Sequence, residues 1–239
     1  MLKNVEKMTL NYSPNFDLKK RDKFKIKYLI FHYTGMVSEE GAIRRLTNFN
    51  SKVSCHYFIK TNGQVVQIVP DLYISWHAGL SSWKKDKLLN SKSIGIEISN
   101  PGHENGYISF TKKQITSVIN LSKKLKKKYN ISRLNVLGHS DISPLRKKDP
   151  GEKFPWELLA KNKICLWHKI KKNNCRKYRN QKIEKKKDIF KLLLRFGYMI
   201  SSNKFEKIKI IKSFQRRFRP QLISGVFDKE CCQILKTLI

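Results

Sequence analysis

The chain holds 239 residues, with 51 lysines and arginines against 18 acids and a formal net charge of +33. That length supports one or two domains with a real core, and the charge points to a polyanionic partner or an acidic neighbouring surface. Nucleic acid, anionic lipid and an anionic wall polymer fit it equally well, as does a lysine-rich background composition. Five cysteines, with no Cys-x-x-Cys spacing among Cys55, Cys165, Cys175, Cys231 and Cys232, argue against a disulfide framework or a zinc knuckle, so reduced thiols are expected. No apolar run has the length of a secretory signal or of a bilayer span. The chain is therefore expected either to stay in the cytoplasm or to leave it by a route the sequence does not display.

Residues 1–24 are polar and broken by Pro14, an arm expected to lie over the domain. The apolar run Lys27-Tyr28-Leu29-Ile30-Phe31 is predicted to be a buried strand delivering His32. Ser38, Glu39 and Glu40 then open a helix in which Ala42, Ile43, Leu46 and Phe49 recur at helical spacing, with the acids at the positive end of the dipole. A strand feeding a helix in this way belongs to an α/β sheet.

The segments His56–Lys60 and Gln64–Val69 flank Thr61-Asn62-Gly63, a hairpin signal because Asn-Gly accepts the positive φ angles of a tight turn. His56, at the start of the first strand, fits a core position as well as a functional one. Trp76-His77-Ala78-Gly79 lies in a loop region, where an exposed Trp-His pair would make a wall for a sugar or peptide, although packing alone would also account for Trp76. Ile94-Gly95-Ile96-Glu97-Ile98 alternates, with the isoleucines on one face and Gly95, Glu97 and Ser99 on the other. A carboxylate in so apolar a strand is either a buried ion-pair partner or a general base whose pKa is raised by desolvation. Thr111 and Gln114 form a capping box before a helix of about five turns with Ile115, Val118, Ile119, Leu125 and Tyr129 as its apolar stripe. Its lysines, 123, 124 and 126–128, mostly read as a solvated face.

The short run Leu134–Leu137 is a further buried strand, ending at His139. Pro144, Pro150 and Gly151 forbid regular structure in the segment that follows, which reads as a loop built to present side chains, with Asp149 at its far end. Two strands that each end in a histidine can place both imidazoles at one sheet edge. With Asp149 they make a His-His-Asp set with an open fourth position, the donor pattern of a catalytic rather than a structural zinc site. Residues 161–187 read as a basic linker, or a basic helix, joining two domains. Residues 188–239 hold three predicted short helices, marked by Ile189, Leu193 and Phe196, by Ile208, Ile211, Phe214 and Phe218, and by Ile234, Leu235 and Leu238.

Six blocks in order carry a resemblance: His32-Tyr33-Thr34, Ser54-Cys55-His56-Tyr57, Trp76-His77-Ala78-Gly79, Ser93-Ile94-Gly95-Ile96-Glu97-Ile98, Gly138-His139-Ser140-Asp141-Ile142 and Lys147-Lys148-Asp149-Pro150-Gly151. Over residues 25–160 the chain resembles the zinc-dependent N-acetylmuramoyl-L-alanine amidases of family 2, the AmpD/AmiD type, which are related to the peptidoglycan recognition proteins. More loosely, Phe214-Gln215 followed by Gly225-Val226-Phe227-Asp228 resembles a three-helix peptidoglycan-binding domain, though such a bundle could serve another partner. The resemblance implies a mixed β-sheet flanked by helices, one Zn2+ per chain on His32, His139 and Asp149, and peptidoglycan or muropeptides as partner. It implies hydrolysis of the amide between N-acetylmuramic acid and L-alanine. Glu97 would be the general base and Lys147 a positive charge near the oxyanion, with Trp76, His77 and His56 as substrate-binding residues. Cys55 stands where phage-type relatives carry a tyrosine, so no role is carried over to it.

That function places the protein in the cell envelope, periplasmic or secreted, with the cytoplasm as the alternative. Two other readings compete. A noncatalytic recognition module is opposed by the presence of both Asp149 and Glu97. A nucleic-acid-binding protein rests on charge alone and lacks the aromatic-basic arrays that would make it specific.

Overall fold

The computed structural model describes residues 9–170, 177–183 and 187–239. The first eight residues of the expected arm, and residues 171–176 and 184–186 of the expected linker, lie outside these. The strands are β1 (Thr9–Leu10), β2 (Phe16–Asp17), β3 (Tyr28–Tyr33), β4 (Tyr57–Ile59), β5 (Val65–Gln67), β6 (Ile74–Ser75), β7 (Ser82–Trp83), β8 (Asp86–Lys87), β9 (Ser93–Ile98) and β10 (Val136–Gly138). The helices are α1 (Glu39–Thr47), α2 (Lys112–Tyr129), α3 (His139–Ile142), α4 (Trp156–Lys161), α5 (Lys187–Phe196), α6 (Lys204–Phe218) and α7 (Lys229–Lys236).

Six strands form a mixed sheet in the order β1-β5-β4-β9-β3-β10, in which only the β4-β5 hairpin is antiparallel. The apolar run of β3 sits between two parallel neighbours, as expected for a strand covered on both faces. At the hairpin turn Gly63 has φ +86°, and a Cβ there would meet the Lys113 carbonyl oxygen at 2.9 Å, so the position suits glycine on two counts. Residues of the N-terminal arm supply the edge strand β1, and Asn15 ties the arm down through bonds to Asn48 and Val53 carbonyls.

One face of the sheet packs Leu29, Phe31, Ile94, Ile96 and Ile98 against α2 and α4, through Ile115, Val118, Leu125, Trp156 and Leu159. The Thr111–Gln114 capping box forms as its spacing predicts. Helix α1 starts at its Ser38 cap but stops at Thr47, and Phe49 is exposed in a following single turn, because the chain bends at Asn48 before the helical spacing can reach it. The strand predicted over 134–137 is shifted to Val136–Gly138, with 133–135 in a 3-10 turn capped by Ser132.

The opposite face carries Tyr28, Ile30 and Leu137. It is covered by the C-terminal helices, which contribute Leu193, Phe196, Phe214, Phe218 and Ile234 to one continuous apolar cluster with those strand residues. Trp83, 1% exposed, is wedged between Phe196 and Tyr198 at ring-centroid separations of 5.7 and 5.0 Å. Ile164 and Cys165, at the start of the expected linker, are fully buried, and Trp167 packs against both apolar clusters. No helix among the described residues is long and apolar enough to cross a membrane.

Candidate metal centre and active site

Strands β3 and β10 run parallel and pair Phe31 with Gly138, so the residues that follow each of them, His32 and His139, arrive side by side. Gly138 admits no side chain: a Cβ there would lie 2.7 Å from the Pro150 ring. The loop after α3 returns because the Ser140 amide donates to the Asp149 carbonyl at 2.8 Å, just before a cis Asp149–Pro150 bond. The return brings Asp149 Oδ2 to 3.1 Å from His32 Nδ1 and 3.0 Å from His139 Nδ1, with the two imidazole nitrogens 2.9 Å apart. All three residues are buried, and theirs is the one His, Cys, Asp or Glu cluster among the described residues with ligand atoms this close.

Hydrogen bonds behind the cluster set which nitrogen faces it. The Ser93 hydroxyl donates to the Leu89 carbonyl at 2.6 Å, so it accepts from His77 Nε2 at 3.1 Å. His77 Nδ1 is then an acceptor, and His32 Nε2 must donate to it at 3.0 Å. Likewise His139 Nε2 donates to the Ala78 carbonyl at 3.2 Å. Both Nδ1 atoms therefore turn a lone pair toward the Asp149 carboxylate, an arrangement that calls for a cation, and two imidazoles with one carboxylate are a zinc donor set with bonds of about 2.0–2.2 Å. Burial, then the neighbouring His139, pushes the His32 pKa down to about 4, so the ring is neutral at pH 7.

Glu97 pairs with His32 across β3 and β9 and projects from the same face. Its Oε2 is buried and has no hydrogen-bond partner among the described residues. Burial, followed by the Asp149 charge, raises its pKa well above the carboxylate range, with Lys147 working in the other direction. These groups open into a cleft of about 390 Å³, lined by Ala42, Arg45 and Leu46 of α1, by Trp76, and by the cationic run 146–148. It can hold a polar ligand against a Lewis acid, a poised carboxyl and several cations.

A family model described as N-acetylmuramoyl-L-alanine amidase matches residues 22–152. The chain belongs to this amidase family. It is a zinc-dependent amidase, and it acts on the bond between N-acetylmuramic acid and L-alanine for which the family is named. It is 33% identical to the N-acetylmuramoyl-L-alanine amidase AmiD of Escherichia coli over 90% of this chain and 83% of that protein. A structure of that amidase in complex with anhydro-N-acetylmuramic acid-L-Ala-D-gamma-Glu-L-Lys superposes with a TM-score of 0.80, covering 90% of this chain and 88% of that one. The 1,6-anhydro-N-acetylmuramyl-L-alanine amidase AmpD of Haemophilus influenzae is 31% identical over 65% of this chain and 95% of its own. The crystal structure of AMPDH3 from Pseudomonas aeruginosa, 26% identical, matches over 100% of this chain and 98% of that one, with a TM-score of 0.81.

In this amidase His32, His139, Asp149, Glu97 and Lys147 come together, and Trp76 stands on the cleft wall with its indole nitrogen bonded to Asp17. His77, 8% exposed, lines the cleft and also backs His32, its ring filling the space over Gly95, where a Cβ would come within 2.4 Å of it. His56 is deeper still and is not a lining residue. It accepts from the Gly95 amide through Nδ1, faces the Tyr73 carbonyl through Nε2, and is pushed down to about 3 by burial and then by Arg21. Sequence reasoning missed Arg146, which bonds the Ala78 and Leu80 carbonyls, and Ser93, which orients His77. Arg146 adjoins Lys147 in a loop already singled out; Ser93 carries no local signal.

Proposed function

We propose that Glu97 and Lys147 carry out the hydrolysis, with His32, His139 and Asp149 as the zinc ligands. When bound, Zn2+ supplies a Lewis acid that polarises the scissile carbonyl and makes hydroxide available near neutral pH. Glu97 takes a proton from the attacking water and delivers it to the departing nitrogen of L-alanine. Lys147 sets a positive charge beside the oxygen that becomes anionic. His77 keeps Nδ1 of His32 free of a proton, and the Trp76 ring offers a face to the sugar. The observation that carries this reading is the unpartnered Oε2 of Glu97 on the face that bears His32.

The substrates we propose include released anhydro-muropeptides. Support comes from the name of the Haemophilus relative and from the anhydromuramyl tripeptide held by the Escherichia coli relative. Four cations at the cleft, Arg45, Arg146, Lys147 and Lys148, suit the carboxylates of a stem peptide. The +33 charge supports work beside an anionic wall in the cell envelope, with residues 25–160 as the catalytic unit and residues 188–239 as a polymer-binding-like one. Mass-spectrometric digests of polymeric sacculi and of anhydro-muropeptide, with and without chelator, test this. Release of the stem peptide from the lactyl group, abolished by chelator and restored by zinc, is expected; cleavage that ignores chelator would overturn it.

A further inference from the structure

Helix α6 touches the segment that carries two of the three ligands through four side chains. Lys209 Nζ donates to the Leu145 carbonyl at 3.1 Å, and Ser213 Oγ to the Ser140 carbonyl at 2.6 Å. Arg217 Nη1 meets Asp141 Oδ2 at 2.5 Å, two residues after His139, while its Nη2 donates to the Val136 carbonyl at 3.0 Å. Arg216 meets Glu152 at 3.4 Å, three residues after Asp149. Arg217 thus grips one foot of the loop that spans His139 to Asp149, and Arg216 lies in ion-pair range of Glu152 at the other foot, where His103 also contacts that carboxylate.

The Arg217–Asp141 pair is expensive to build. Both side chains are almost fully buried, at 2% and 1% exposure, and a buried ion pair is no more stabilising than apolar side chains of the same volume. Its geometry is what distinguishes it. The guanidinium lies 4.3 Å from the Trp156 ring centroid and 4.8 Å from that of Phe218, and Tyr198 donates to the other oxygen of Asp141. The Asp141 oxygen gripped by Arg217 also accepts from the Gly138 amide at 2.8 Å, closing the turn that presents His139. Every polar atom of that carboxylate is committed, so the turn has one position.

We propose that α6 is a clamp that sets the zinc affinity of the catalytic domain. Arg217 acts through Asp141, and Ser213 through Ser140, as positioning residues for His139, while Arg216 does the same through Glu152 for Asp149. The C-terminal helices are thereby part of the metal centre, whatever polymer they also touch. This rests on the reading of His32, His139 and Asp149 as the zinc ligands.

The test uses the full chain, with zinc affinity measured by competition with a chromogenic chelator and the Co2+-loaded protein examined by visible absorption. One equivalent of zinc in the wild type, lost in His139→Ala, is the control; its failure overturns the ligand assignment and the clamp with it, whereas the variants that follow test the clamp alone. Arg217→Met is expected to weaken zinc by about tenfold, the usual consequence of losing an outer partner, and to shift the Co2+ bands, with Arg217→Lys recovering part of both. A folded Arg217→Met that binds zinc within threefold of wild type overturns the clamp. If Arg217→Met does not fold, Ser213→Ala decides: it removes one hydrogen bond and strands no charge. A loss of threefold or more supports the clamp, and a smaller one overturns it.

Discussion

His32 Nε2 and His77 Nδ1 lie 3.0 Å apart, and the proton between them belongs to His32 because His77 has spent its own on Ser93. The Leu89 carbonyl therefore governs, through one hydroxyl and two imidazoles, which nitrogen of His32 is free to bind metal. His77→Phe keeps a ring over Gly95 but offers no acceptor. It is expected to weaken zinc binding by about 10- to 100-fold while leaving the far-UV circular dichroism unchanged. Chelator competition on the purified variant checks this, and wild-type affinity would show that the His32 tautomer is set elsewhere.

Glu97→Gln preserves the volume of the side chain and removes its basicity. Zinc content is expected to stay at one equivalent while kcat falls by at least about 10²-fold, the scale of a lost general base. Metal analysis and turnover on a muropeptide, done on one preparation, distinguish this from loss of the metal. Wild-type turnover would move the proton-transfer role to another group.

In metal-free protein three buried histidines are held neutral by burial: His32, pushed down to about 4, His56, pushed down to about 3, and His77, pushed well below its ordinary value. Unfolded histidine titrates near 6.5. Between these values the unfolded chain binds more protons than the native one. Stability is thus fully present above about pH 6.5 and is lost as pH falls toward 4. Denaturant unfolding of the chelator-treated protein is expected to take up more protons near pH 5 than near pH 7. A pH-independent midpoint between 7 and 4.5 would contradict the burial of these rings in neutral form.

The apolar cluster that joins β3 to the C-terminal helices predicts one cooperative transition for the whole chain. Leu193→Ala, at a fully buried position of α5, is expected to cost about 2–5 kcal/mol. Because the sheet and the helices share that core, near-ultraviolet signals and zinc release should shift together. Calorimetry that resolves two separate endotherms would show instead that the helices melt on their own.

The metal ligands were legible because each rests on a local rule. A short apolar run ends at or just before each histidine, and a proline-bounded loop brings the carboxylate back. Glu97 was legible from alternation, since Ile94, Ile96 and Ile98 could face only one side. The places of His77 and His56 were not. Both lie inside because Gly95, from a different strand, leaves room for one ring and donates its amide to the other, and that meeting is a matter of tertiary register. The Arg217–Asp141 pair was hidden for the same reason: 76 residues separate its members, and in sequence each looks like an ordinary charge in a highly charged chain.

A chain cut after α4 would turn Tyr28, Ile30, Leu137 and Ile142, now 4% exposed or less, toward solvent. Such a fragment would carry a sticky patch beside its own active site and would be prone to self-association. For engineers who wish to exchange C-terminal helices among cell-wall hydrolases, the stretch after α4 in this chain is accordingly a poor splice point. Grafts that keep 188–239 with their native sheet should remain dispersed, and grafts that part them should precipitate.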